Sequence, residues 1–270
     1  MCKARLLVFA TVCAALGVVG QANVQAAIST GDWVTIQTSG TVSPAGTLAL
    51  LTGGEHTSDN LVGHGGGGGE FYMKITTSTN AASVGQGYIT FCLERNEYIY
   101  PSGGIAGPYA VVIADSAVAG GVGGASGGQD PLSDATKWLF QQYSLGTLDT
   151  AVSGFSYNSN SAADALQNAI WYLENEITTA LSGLYGNLVT AAQSATYNAS
   201  LGAVRVAQLW QGYNSTTGEG TGTKYQDQLV FIPAPIVPTV APVPEPSSVL
   251  AWSMFAMCGY GASLWRRRRK

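Results

Sequence analysis

Both ends of the chain are apolar runs set beside basic residues, which leaves only the stretch between them free to build a water-soluble domain. At the start, Lys3 and Arg5 precede an uncharged stretch from Leu6 to about Val19, and Val24-Gln25-Ala26 supplies small residues after it. This is the order of a secretory signal, with removal by signal peptidase expected after Ala26. At the other end, Ser248 to Trp265 carries no charge and runs into Arg266, Arg267, Arg268, Arg269 and Lys270. A run of that length just spans a bilayer, and a basic cluster stays on the cytoplasmic side. One C-terminal transmembrane helix is therefore expected, with the body of the chain outside.

Immediately before this span stands Pro244-Glu245-Pro246. The ordered triple of motif, span and arginine cluster resembles the PEP-CTERM sorting signal of Gram-negative bacteria. That resemblance implies handling by an exosortase-type sorting enzyme, removal of the anchor, and a cell envelope that makes exopolysaccharide. The expected organisation is a signal peptide (1–26), an extracellular domain (27–232), a proline-rich linker (233–246) and a sorting and transmembrane segment (247–270). The expected location is the cell envelope or the extracellular matrix of a biofilm.

Between Ala27 and Pro246 five basic residues (Lys74, Arg95, Lys137, Arg205, Lys224) face all sixteen acidic ones, a net charge of −11. Such a surface repels nucleic acid and argues against a phosphate-binding role. About two hundred residues suffice for one well-buried domain or two small ones.

The first half of the body reads as strands. Trp33 to Gln37, Thr47 to Leu51, Phe71 to Thr76, Tyr88 to Leu93 and Tyr109 to Ile113 are β-branched or aromatic runs separated by Gly, Ser and Asn clusters. Gly65 to Gly69, and Ala119 to Gly128, read as flexible loops. Helical signals follow. One helix is expected to open at Asp130-Pro131, and a second at Ser161, three residues before Asp164 in the manner of a capping box. Its apolar stripe is Leu166, Ile170, Leu173 and Ile177, with Gln167, Trp171 and Glu174 forming a neighbouring stripe at i, i+4 and i+7. Further helix is expected from about Asn187 to Gln211, broken near Gly202, before a closing strand at Gln228 to Ile232. The fold class is α+β: an antiparallel β-barrel or sandwich with an inserted helical subdomain, plus the C-terminal transmembrane helix.

Of four cysteines, Cys2 and Cys13 lie in the signal and Cys258 in the C-terminal span, which leaves Cys92 alone in the body. An exported chain normally pairs its cysteines, so a single one is either a buried small hydrophobe or a reactive atom. Phe91-Cys92 and Leu166-Gln167-Asn168-Ala169-Ile170-Trp171 together resemble the two signatures of bacterial surface thioester domains. In that family an aromatic-Cys pair on a strand is joined to the glutamine of a Gln-x-Ala-Ile/Val-Trp helix. The resemblance spans Trp33 to Ile232 and matches at Phe91, Cys92, Gln167, Ala169, Ile170 and Trp171; Leu166 stands where the family usually has threonine. It implies a thioester between Cys92 and Gln167 and a covalent protein or polysaccharide target. The chemistry suits these residue types, since a thiolate held against a carboxamide can expel ammonia and leave an acyl donor. No cofactor is implied, and the molecule would act once rather than turn over.

Other constellations are weaker. A cysteine hydrolase needs a histidine base, and only His56 and His64 exist, both in glycine-rich sequence. No Cys/His spacing suits a metal, and no acidic run follows a calcium loop. Glu94, Glu97, Glu174 and Glu176 could pair for glycoside chemistry, but they read as a strand end and a helix surface. A noncovalent structural protein of the matrix or biofilm is the rival reading; it needs only the signal, a soluble domain and the sorting tail.

Overall fold

The strand signals at Trp33, Phe71, Tyr88 and Tyr109 fold into one antiparallel sheet. A computed structural model describes residues 27–37, 70–99, 105–118, 120–178 and 180–234, all within the unit Asn23–Pro235. Its strands are β1 (Trp33–Gln37), β2 (Glu70–Thr77), β3 (Gly87–Phe91), β4 (Ile105–Ala114), β5 (Ser116–Val118), β6 (Gln129–Pro131), β7 (Gly202–Asn214), β8 (Glu219–Lys224) and β9 (Gln228–Pro233). Helices α1 (Asp134–Ser144), α2 (Leu148–Ala151), α3 (Asn160–Leu173) and α4 (Gly183–Ser194) lie in sequence between β6 and β7. The class is α+β, as the alternation of apolar residues and the later helical periodicity suggest.

The main sheet runs β3-β2-β1-β4-β7-β8, with β9 also paired to β7, and every pairing is antiparallel. β7 is long enough to serve two partners: β9 takes Gly202 to Ala207, and β8 takes Trp210 to Asn214. The sheet curls into a half-barrel, and beyond the end of β3 an isolated bridge joins Cys92 to Gln228 at the start of β9. β5 and β6 form a separate two-stranded ribbon.

Two apolar clusters fill the molecule. One joins Val34, Ile36, Met73, Ile75, Val111 and Leu209 on one face of the sheet. The other packs the opposite side of β3, β7 and β9 against the helices through Phe91, Leu93, Leu139, Phe140, Leu166 and Ile170. Phe91 meets Tyr143 edge to face, with ring centroids 5.2 Å apart.

The structure corrects several boundaries. Asp130 and Pro131 belong to β6, and α1 begins after Ser133, whose hydroxyl accepts the Thr136 N–H. α3 is capped by Ser159 rather than Ser161, through the N–H of Ala162. The helix expected to run on to Gln211 ends at Ser194, and Gly202 to Asn214 is the strand β7. Gly202 holds φ +138°, and a side chain there would strike the Phe231 ring and the Ile232 carbonyl, so the glycine that suggested a break in a helix instead allows β7 to meet β9. Among the described residues no helix is long and apolar enough to cross a membrane. Ala26, the strand expected at Thr47 to Leu51, His56, His64, Gly65 to Gly69, Pro244 to Pro246, the C-terminal span and Arg266 to Lys270 lie outside the described residues.

Candidate functional site

The last residue of β3 paired with β2 is Phe91, opposite Glu70, and beyond it the edge of β3 that faced β2 meets no further strand among the described residues. At Cys92 a side chain takes that place. The Cys92 N–H donates to Gln167 Oε1 at 3.0 Å, and Gln167 Nε2 donates to the Cys92 carbonyl at 2.8 Å. The carboxamide of α3 thus mimics one peptide unit of a neighbouring strand and satisfies two buried backbone groups. Cys92 is 0% exposed and Gln167 1%.

The other edge of residue 92 faces β9. Leu93 N–H donates to the Asp227 carbonyl at 3.0 Å, which sets Cys92 opposite Gln228. Facing residues of an antiparallel bridge carry their side chains on the same side of the sheet. Accordingly Gln228 Nε2 lies 3.7 Å from Cys92 Sγ, in a donor contact. Successive side chains alternate, so Phe91 and Leu93 join the helix-side cluster while Cys92 joins the cluster on the other face.

Trp171, one turn after Gln167, packs in the same cluster as Cys92 and is 3% exposed. Its indole Nε1 is buried without an acceptor among the described residues. Ala169 and Ile170 are fully buried against the other helices and the strand residues Phe91 and Leu93. Cys92, Gln167, Phe91, Ala169, Ile170 and Trp171 are therefore gathered where β3, β9 and α3 meet.

Sequence reading placed Glu174 and Glu176 on a helix surface; both are buried, as is Glu94. The reason is the end of α3. Asn175 adopts φ 65°, the Asn175 N–H donates to Tyr172 O and the Glu176 N–H to Trp171 O. This is a Schellman ending, which turns the chain back on the helix and carries Glu176 inward. There its carboxylate accepts the N–H groups of Arg95 (2.8 Å), Val122 (2.9 Å) and Gly123 (2.7 Å). The loop expected to be flexible is thus tied to α3. Gly121, at φ 48°, faces the Glu94 and Glu176 carboxyl groups so closely that a Cβ would collide with both.

Burial, reinforced by the nearby Glu176, Glu97, Asp227 and Asp130, pushes the Glu94 carboxyl up to about 9. Glu94 Oε2 has no partner among the described residues. Burial likewise raises Asp227 to about 7, against the opposing pull of Lys224. Lys224 lies 2.6 Å from both Glu97 oxygens and 3.0 Å from Asp227 Oδ2. Backbone amides occupy Glu176 and an ammonium occupies Glu97 and Asp227, and among the described residues no group of His, Cys, Asp and Glu could hold a metal ion. These carboxyl groups lock the segment after Cys92 in place. Ion pairing accounts for Glu97 and Asp227 and backbone capture for Glu176, whereas Glu94 Oε2 has neither among the described residues.

Sequence reasoning placed Gln228 at the start of the closing strand but missed its approach to Cys92, because a contact between residues 136 positions apart leaves no local signal. Compared with family models, curated proteins and solved structures, the chain matches none.

Proposed function

We propose that Cys92 and Gln167 form an intramolecular thioester and that the protein is an exported, single-use covalent adhesin of the cell surface. The observation that carries this reading is the docking of the Gln167 carboxamide on residue 92, inside a site closed to water. Attack of the Cys92 sulfur on Gln167 Cδ forms the S–C bond. The C–N bond breaks, and the thiol proton leaves with the nitrogen as ammonia. The Cys92 N–H already on Oε1 stabilises the oxyanion that develops there. An amine or hydroxyl of a protein or polysaccharide target then opens the thioester and stays attached through Gln167. Burial protects the bond from hydrolysis until the target arrives. The sorting motif and basic tail fit delivery by an exosortase and temporary anchoring in the membrane. We read the curled sheet as a barrel, with the Cys92–Gln228 bridge as its seam.

One observation favours the rival, a noncovalent matrix protein. The described hydrogen bonds of Gln167 run to the backbone of residue 92, as a purely structural capping group would make them. Intact mass decides between the two. The adhesin is one ammonia lighter than its sequence, gains methylamine on incubation, and does neither as the Cys92→Ala variant. A wild-type chain at full mass that takes up no amine sinks the covalent reading and leaves the structural one. Cys92→Ala is the clean variant, because Gln167→Ala also strips two backbone bonds.

A further inference from the structure

Two carboxamides converge on Cys92, and the thioester reading uses only one. Gln167 holds the backbone of residue 92, whereas the donor contact of Gln228 is to the sulfur itself, with Nε2 3.7 Å from Sγ. The remainder of the Gln228 side chain is constrained. Its Oε1 lies 3.2 Å from the Thr90 hydroxyl, and Thr90 is anchored at 2.6 Å to the Leu229 carbonyl. Gln228 and Thr90 are both fully buried. A polar amide in such a place is costly unless its hydrogen-bonding capacity is used, so its orientation toward sulfur is a built feature of the site.

We propose that Gln228 is a positioning residue for the Cys92 sulfur: its Nε2–H donates to the thiolate and aims it. The consequence for reaction rests on the thioester reading above. The physical need is plain, because the sulfur sits in a cluster with Ile36, Phe71, Val111 and Trp171, where an anion has no solvent. An N–H donor at sulfur favours the charged nucleophile over the neutral thiol. The same geometry makes Gln228 a poor acyl donor. It meets the sulfur through its nitrogen, and it is the Gln167 oxygen that receives the Cys92 N–H. The bond that forms is therefore Sγ to Gln167 Cδ, the leaving group is ammonia from Gln167 Nε2, and Gln228 is unchanged at the end.

The test separates this role from the thioester itself. In a full-length chain carrying Gln167→Leu, the thiol cannot acylate, and its ionisation can be followed by thiolate ultraviolet absorbance as a difference from the same chain with Cys92→Ala. Tyr88 in the same cluster and Glu94 two residues on are common to every variant, so the comparison isolates position 228. Adding Gln228→Met, which keeps length and loses the donor, moves the titration to higher pH. In the chain with Gln167 intact, Gln228→Met slows ammonia loss, followed by intact mass after refolding, by about tenfold, the worth of one hydrogen bond to a charged group. A titration that stays in place or moves to lower pH in a folded Gln228→Met variant overturns the proposal. Should that variant not fold, an unmoved titration in Gln228→Leu does the same. A wild-type chain that never loses ammonia refutes the thioester, while the titration still decides the role of Gln228.

Discussion

Gln167 carries two hydrogen bonds to the backbone of residue 92, and mutation can weigh them. Replacing it with alanine leaves the Cys92 N–H and C=O buried and unmet, a loss of about 2–4 kcal/mol. Cys92→Ala removes only a small buried sulfur and is expected to cost about 1–2 kcal/mol. Urea denaturation of the two variants, both without the crosslink, should therefore rank Gln167→Ala clearly below Cys92→Ala; equal midpoints would mean the carboxamide does not support residue 92. At this scale the sequence was informative where the signal is local. The alternation Phe91-Cys92-Leu93 foretold opposite faces, whereas the pairing of Cys92 with Gln167 came only from the resemblance of their two motifs to a known family. The sequence was silent on the approach of Gln228 to Cys92, and it misled on Glu174 and Glu176. Charged residues normally stay in water, and here backbone amides and a serine hydroxyl replace water at each carboxyl group.

Among the elements, α3 is the one that organises the site, because it grips the rest of the fold at three points. Gln167 holds residue 92, Glu176 holds Arg95 and the loop at Val122, and Glu174 accepts the Ser133 hydroxyl at 2.7 Å at the start of α1. Ser133 thus caps its own helix and ties it to the end of α3. Ser159 caps α3 alone, with its side-chain oxygen 3.3 Å from the Ala162 N–H. Ser133→Ala should cost about 2 kcal/mol or more and Ser159→Ala about 1 kcal/mol. Chemical denaturation of the two variants checks the order, and equal losses would show that the bond to Glu174 adds nothing. The helices were legible in their 3.6-residue apolar spacing, but β7 was not. Between Val206 and Leu209 both faces of β7 are covered, so every residue is buried or nearly so and the alternation that marks a strand disappears.

For the molecule as a whole, the buried carboxyl groups make folding depend on pH in an unusual direction. Glu94 at about 9 and Asp227 at about 7 hold protons more tightly in the folded chain than in the unfolded one. Between the unfolded carboxylate value of about 4 and these folded values, the native state binds more protons, so stability falls as pH rises. The contribution is fully present below about pH 4 and is lost through about pH 7 for Asp227 and about pH 9 for Glu94. Urea midpoints should decline from about pH 5 to about pH 9, and Glu94→Gln, neutral and of equal size, should flatten the alkaline part. A wild-type profile that rises over that range would contradict this account of Glu94. The long-range pairing of the sheet has one more consequence. β9 is the last strand among the described residues, and it supplies both the residue opposite Cys92 and the carboxamide at its sulfur. A ribosome delivers Cys92 long before it delivers Gln228, so under the role proposed for Gln228 the thiol is made early and aligned late. On that proposal β9 works as a timer, and a half-made chain carries a thiol that lacks its alignment until β9 has joined the sheet.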